Sequence, residues 1–163
     1  MLTIQLHKRI HKATILKCIR ADKSETWSKL HPNTEYHDLA HIAVEKGLGF
    51  TNAFYGLVSQ GVNISDFELP EHQKPVALTS ANLPKESIIT EHLVNLLTIE
   101  QFNAEKPINF IKETQKILQE NQLPYPDHLT EQTLNNIRLE YSNLISEWKN
   151  IQDGMYLENT FDI

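Results

Sequence analysis

The chain has 163 residues, of which 40% are hydrophobic and 22% charged, with a formal net charge of −6. This composition is typical of a soluble globular protein, and the length predicts a single domain over residues 1–163. The only cysteine, Cys18, excludes an intramolecular disulfide. No window reaches the roughly 18 apolar residues of a membrane span, and the N-terminus has no signal-peptide pattern, so we expect a cytoplasmic protein without a membrane partner.

The N-terminal residues 1–30 have the pattern of β-strands. Apolar and polar residues alternate over 2–7, which is typical of a half-buried strand. The segments 14–20 and 25–30 are rich in β-branched and aromatic residues, and the sequence ADKS at 21–24 suits a turn between them. This region therefore predicts a hairpin. A third strand in a meander, or an amphipathic N-terminal helix instead, remains open.

A long, unusually apolar helix is predicted next, over residues 35–60, with Thr34 as its N-cap. Such an apolar helix is expected to be the central one of the fold. Glycine inside a helix costs about 1 kcal/mol relative to alanine. Gly47, Gly49 and Gly56 therefore indicate either a close neighbouring group or a break in the helix.

The rest of the chain predicts one long irregular segment followed by three helices. Residues 61–84 contain three prolines and no sustained period, which is typical of a strap or a lid. The three helices fall within 85–152, and they are expected to begin after Pro84, at Pro107 and after Thr130. The predicted fold class is α+β, with a small N-terminal antiparallel sheet of two or three strands packed on a bundle of about four helices.

Four ionisable residues near the start of the central helix form the candidate polar site: His37, Asp38, His41 and Glu45. On a helix they lie within about 100° of one another and so share a face. Two imidazoles at positions i and i+4 can chelate one metal ion, and a carboxylate one turn further can supply a third ligand. The pattern therefore identifies His37, His41 and Glu45 as candidate ligands of a divalent metal.

Three alternatives for this face remain open. Asp38 or Glu45 could hold a histidine ring nitrogen without touching a metal. The face could bind a small molecule or carry acid–base chemistry without a metal, or it could be the solvated side of the helix. No known metal motif decides between them: residues 37–41 lack the glutamate of a zincin, and Glu91 and His92 are adjacent where a ferritin-like site would need Glu-x-x-His.

The charge is unevenly distributed along the chain. Residues 1–30 carry seven basic and two acidic side chains, a net of +5, whereas the rest of the chain carries a net of −11. A basic segment can contact nucleic acid, but no motif of stacking aromatic residues accompanies it, which disfavours that partner. Packing of the two halves against each other, or lysines that protect strand edges, is the favoured interpretation. Self-association through an apolar helix face stays open, and the absence of a glycine-rich phosphate loop gives nucleotide binding no support.

The segment CIRADKSETW followed by YHDLAHIAVEKGLGFTNAFYGLVSQGVNISDF resembles a group of small bacterial proteins with no assigned activity. The resemblance covers residues 14–67, and its most specific part is the pattern HDLAH…VE…LG…FYGLV…G. It implies that a hairpin followed by this helix is a recurring unit, with its polar chemistry at His37, Asp38, His41 and Glu45. It supplies no substrate, cofactor or reaction.

The sequence therefore assigns no specific biochemical function and leaves open whether the protein is an enzyme. Two hypotheses from different classes are compatible with it. One is a metal-dependent hydrolase or small-molecule binding protein that uses His37, His41 and Glu45. The other is an interaction module that uses the basic N-terminal sheet to contact an acidic partner.

Overall fold

Four antiparallel strands form one sheet in the computed structural model, which describes residues 1–103 and 108–162. The strands are β1 (Leu2–His7), β2 (Ile15–Ile19), β3 (Glu25–Lys29) and β4 (Tyr156–Phe161), and their order across the sheet is β3-β2-β1-β4. The predicted α+β class is confirmed. The N-terminal segment forms the full meander, so the alternative of an N-terminal helix is wrong.

The fourth strand comes from the C-terminal tail, for which the sequence made no prediction. β4 pairs with β1 in a register that sets Phe161 opposite Leu2 and Leu157 opposite Leu6. All four of these side chains are buried. The prediction of two or three strands was therefore too low by at least one, because β1 has a free edge that only the distant tail can cover.

The described residues also contain five α-helices. They are α1 (Glu35–Leu48), α2 (Phe54–Ser59), α3 (Lys85–Phe102), α4 (Phe110–Glu120) and α5 (Glu131–Asn150). The three predicted C-terminal helices are confirmed, while Pro107, the predicted start of the second, lies outside the described residues. Residues 61–84, all of which the structure describes, contain three short 3₁₀ helices (Ile64–Glu68, Glu71–Gln73 and Val76–Leu78) and no α-helix or strand.

The prediction of one continuous helix over 35–60 is wrong, because the helix breaks at Gly49. Gly49 has a left-handed backbone with φ of 65°, and the next residue, Phe50, donates its backbone N–H to the carbonyl of Glu45 at 2.9 Å. This is the usual glycine-terminated end of a helix. Thr34 precedes the helix as expected, but its hydroxyl donates to the carbonyl of His31 and does not cap the helix.

The link between α1 and α2 is held by the first turn of α3. The Glu86 carboxylate accepts the backbone N–H groups of Thr51 at 3.0 Å and of Asn52 at 2.7 Å. The Ser87 hydroxyl donates to the carbonyl of Asn52 at 2.7 Å. These bonds satisfy backbone groups that a helix break leaves without partners, and they fix α3 beside α1.

Close packing accounts for the other two glycines. A Cβ atom on Gly47 would lie 2.3 Å from Cγ1 of Ile137 on α5, and one on Gly56 would lie 2.1 Å from the carbonyl oxygen of Thr51. Both predictions from the glycines are therefore correct: Gly49 marks a break in the helix, and Gly47 and Gly56 mark close contacts.

Replacing Gly47 by alanine is expected to lower the free energy of unfolding by about 1–3 kcal/mol, because the added methyl group overpacks the α1–α5 contact. In a solvated helix the same change would stabilise by up to about 1 kcal/mol. Urea denaturation measures the difference. The double variant Gly47→Ala/Ile137→Ala is expected to lose less than the two single variants together; strictly additive losses would contradict the contact.

The basic N-terminal segment makes hydrogen bonds to the rest of the chain. The Arg20 guanidinium donates to the carbonyls of Val58 and Val62, both at 2.7 Å. The Lys8 ammonium donates to the carbonyls of Trp148 and Lys149 at the end of α5, where the helix dipole favours a cation. Two of the seven basic side chains thus bind the N-terminal segment to the rest of the chain, as expected if the two halves pack against each other. Within residues 1–103 and 108–162, no helix has the length and hydropathy needed to cross a membrane.

Candidate metal centre

The helix α1 carries all four predicted site residues, but it exposes them to different degrees. Glu45 is completely buried, and His41 and Asp38 are 3% and 8% exposed. The His37 side chain is partly exposed, at 38%. The ring of Phe54, at the start of α2, lies against the ring of His41 with centroids 5.6 Å apart. The helix face is therefore an interior surface over most of its length, and the solvated-face alternative fails for three of the four residues.

Glu45 orients the His41 ring. The Nδ1–H group of His41 donates to Oε1 of Glu45 at 3.0 Å. The other oxygen, Oε2, accepts the backbone N–H groups of Tyr55 at 2.9 Å and of Gly56 at 3.3 Å. Burial raises the pKa of Glu45, while the bonds from His41, Gly56 and Tyr55 oppose that rise. One carboxylate thus joins α1 to α2 and holds the ring nitrogen Nδ1, as one of the sequence alternatives proposed.

The third group at this site is Glu91, which α3 brings against the two histidines. The Nε2 atoms of His37 and His41 lie 3.1 Å apart. Oε1 of Glu91 lies 3.3 Å from Nε2 of His41, and Oε2 lies 3.5 Å from Nε2 of His37. Two lone pairs cannot face each other at 3.1 Å, so either a proton or a cation lies between the rings. Among the described residues, these three form a group whose ligand atoms could hold one metal ion.

Burial and hydrogen bonding shift the pKa values of the site residues in opposite directions, and the balance sets the charge of each residue. Burial lowers the pKa of His41, but the bonds to Glu45 and Glu91 outweigh it and raise the value to about 10. Burial raises the pKa of Glu91, and the two histidines outweigh it, so the net pKa is far below the usual range. In the metal-free protein His41 is therefore an imidazolium between two carboxylates. Burial also raises the pKa of Asp38, to about 7, against the opposing effect of His41 and His37.

The metal-free protein is expected to become less stable as the pH rises from about 6.5 to about 8.5. The pKa of His41 in the fold, about 10, lies above the ordinary value of about 6.5. Its stabilisation is therefore complete below about pH 6.5 and is lost as the pH rises towards 10. At about 1.4 kcal/mol per pH unit, the loss over this window is about 2 kcal/mol. Chemical denaturation in the presence of a chelator measures it.

The matched variant for this measurement is His41→Gln, which keeps a polar side chain but cannot titrate. Its stability is expected to change little between pH 7 and 8.5. Cys18 contributes little in this window: burial raises the pKa of that thiol from about 9 to about 12, so its effect on stability begins only as the pH rises through about 9. An equally steep loss in the variant would contradict the assignment to His41.

Glu91 is the site residue that the sequence did not identify. It lies 46 positions after Glu45 in the printed numbering, and no spacing rule connects it to α1. The Nε2 atoms of His37 and His41 lie close to each other and to the Glu91 carboxylate. Glu45 instead accepts the hydrogen bond from Nδ1 of His41. The Asp38 carboxyl group makes no hydrogen bond within the described part of the chain. The predicted histidine pair is thus brought together, and a different carboxylate completes the group.

Fold and site together define an α+β protein with a two-histidine, one-carboxylate cluster between two helices. In comparisons with known proteins, no family model, no curated protein and no solved structure matches this chain.

Proposed function

We propose that this protein binds one divalent transition-metal ion of the zinc class through Nε2 of His37, Nε2 of His41 and the carboxylate of Glu91. Two histidines and one glutamate are the protein ligands of a well-known type of catalytic zinc site. The ion would take the position that a proton holds between the two rings in the metal-free protein.

The spacing of the three donor groups is the observation that carries this proposal. In a tetrahedral site with metal–ligand bonds of about 2.0–2.1 Å, neighbouring ligand atoms lie about 3.3 Å apart. The two Nε2 atoms lie 3.1 Å apart, and Glu91 places Oε1 3.3 Å from His41 and Oε2 3.5 Å from His37. The carboxylate thus faces both rings, each with a different oxygen, and one donor atom from each residue lies within 4.8 Å of the other two.

The surroundings of the site support the same conclusion. Metal-binding histidines almost always donate their second ring N–H to a carboxylate or carbonyl group, which fixes the ring and its tautomer. The His41 Nδ1–H donates to buried Glu45 in this way. The partner ligands are open to solvent, with the Glu91 side chain 52% and the His37 side chain 38% exposed. The cluster is therefore accessible to solvent at two of its three residues.

This arrangement favours hydrolytic chemistry. Zinc with three protein ligands and one open position binds water and lowers its pKa to about 7, which supplies hydroxide at neutral pH. The residues of this chain would hold the ion, orient His41 through Glu45 and leave one side accessible to a substrate. A structural zinc site, by contrast, has four protein ligands and no open position.

Elemental analysis of untagged protein, purified without chelator, tests the proposal. We expect about one equivalent of zinc per chain in the wild type. The variants His41→Ala and Glu91→Gln are expected to lose it, since each removes one of three ligands. Equilibrium dialysis against zinc then gives the affinities of the variants and the wild type.

The control variant is His128→Ala, which removes an exposed histidine outside the cluster. It is expected to retain the wild-type metal content. Wild-type protein without metal, and without measurable zinc affinity on dialysis, would overturn the proposal. So would variants that bind zinc as tightly as the wild type, since the ion would then have other ligands.

A further inference from the structure

A small apolar pocket adjoins the candidate metal centre on the side of α1 that faces the sheet and the first 3₁₀ helix. Its volume is about 180 Å³. A cavity of about 150 Å³ lined by apolar side chains is large enough to bind benzene. The apolar part of the wall comes from three regions of the chain and consists of Leu16, Leu30, Phe54, Ile64 and Phe67.

One buried carboxyl group lies in the wall of this pocket without a partner. Asp38 is 8% exposed and lines the pocket. Its carboxyl oxygens make no hydrogen bond to any residue in 1–103 or 108–162, although the backbone carbonyl of Asp38 accepts the hydroxyl of Tyr55. The carboxyl oxygens of Asp38 are not among the fully buried side-chain atoms that lack a partner, so a molecule in the open pocket can reach them.

The charged groups nearest to Asp38 do not supply that partner. His37 and His41 lie on the same helix, and their Nε2 atoms are directed at each other and at Glu91. Lys29 and Glu68 also line the pocket, but both are exposed and neither bonds to Asp38 in the described part of the chain. The donor that Asp38 lacks can therefore come from a ligand.

We propose that this pocket binds a primary amine that carries an apolar group about the size of a six-membered ring, with the amine bonded to Asp38. A primary ammonium offers three donors and a positive charge, which complements a carboxyl group better than a single hydroxyl does. The apolar group fits between Leu16 and Phe67, and the burial of its apolar surface favours the complex.

The pocket and the metal centre share a wall, because His37 lines the pocket and also belongs to the metal cluster. A ligand held by Asp38 is therefore next to His37. An amine-bearing, partly apolar molecule would then be the substrate class of the centre. This last step rests on the proposed function, whereas binding to the pocket does not.

Binding of benzylamine to the chelator-treated protein tests the pocket, measured by calorimetry beside benzyl alcohol and toluene. We expect benzylamine to bind at least tenfold more tightly than either neutral probe. Asp38→Asn, which keeps the shape of the side chain, is expected to remove that preference. Asp127→Asn, at an exposed position on another part of the surface, is the matched control and is expected to preserve it.

A second variant separates this proposal from the proposed function. Glu91→Gln removes a metal ligand that does not line the pocket, and it is expected to bind benzylamine as the wild type does. Equal affinity for all three probes, no binding of benzylamine, or unchanged preference in Asp38→Asn would each overturn the pocket assignment. A wild-type protein that shows this preference for benzylamine but binds no zinc would refute the metal centre alone.

Discussion

Glu45→Ala is expected to lower the free energy of unfolding by about 3–5 kcal/mol, the usual loss when one partner of a buried ion pair is removed. The change leaves the imidazolium of His41 without its buried acceptor. It also leaves the backbone N–H groups of Tyr55 and Gly56 without theirs. Both effects act at a completely buried position, where the loss of a hydrogen-bond partner is costly. Urea denaturation at neutral pH, in the presence of a chelator, measures the loss.

Two further variants give this measurement its controls. Glu45→Gln keeps an acceptor for the backbone N–H groups but loses the charge that faces His41, so we expect an intermediate loss. Glu120→Ala removes an exposed glutamate at the end of α4 and is expected to change the stability by less than about 0.5 kcal/mol. If Glu45→Ala is as mild as Glu120→Ala, the carboxylate does not join α1 to α2 as described.

Zinc at about one thousand times its dissociation constant is expected to stabilise the wild type by about 4 kcal/mol, since it binds the folded state and not the unfolded chain. For a chain of this size that corresponds to a rise in melting temperature of about 8–16 °C. The physical reason is that the ion would join α1, through His37 and His41, to α3, through Glu91. Thermal unfolding followed by circular dichroism, with and without zinc, measures the rise.

The double variant His37→Ala/His41→Ala is expected to show no such rise, because only one of the three ligands remains. His128→Ala, which leaves the cluster intact, is expected to behave as the wild type. A similar rise in the double variant would mean that zinc binds elsewhere on the chain, and the tertiary link between α1 and α3 would then have no support.

The sequence alone determined the features that depend on local pattern. Alternating apolar residues identified the N-terminal strands, because a half-buried strand repeats every two residues. The helical periodicity of apolar residues and the residues typical of helix starts identified the three C-terminal helices. The spacing of His37 and His41 showed that they share one face of a helix. The prediction of one domain over residues 1–163 stays a prediction.

Tertiary structure alone decided the features that depend on residues distant in the chain. The glycines of α1 and α2 were visible in the sequence, but whether each marked a break or a close contact depended on the surrounding structure. Ile137 lies opposite Gly47, whereas no atom of the described residues lies within 4 Å of a Cβ placed on Gly49. The pairing of β1 with β4 could not be predicted from the sequence either, because β4 lies more than 140 residues further along the chain.

The candidate site illustrates the same division. Helical spacing brought His37, His41 and Glu45 to one face, and for this reason they could be found from the sequence. The third member of the cluster, Glu91, comes from another helix, and no periodicity within α1 carries information about it. Which carboxylate meets which nitrogen was fixed by packing: α2 draws Glu45 to Nδ1 of His41, and α3 brings Glu91 to Nε2. Coordination needs atoms to converge in space, and sequence spacing determines that convergence only within a single element of secondary structure.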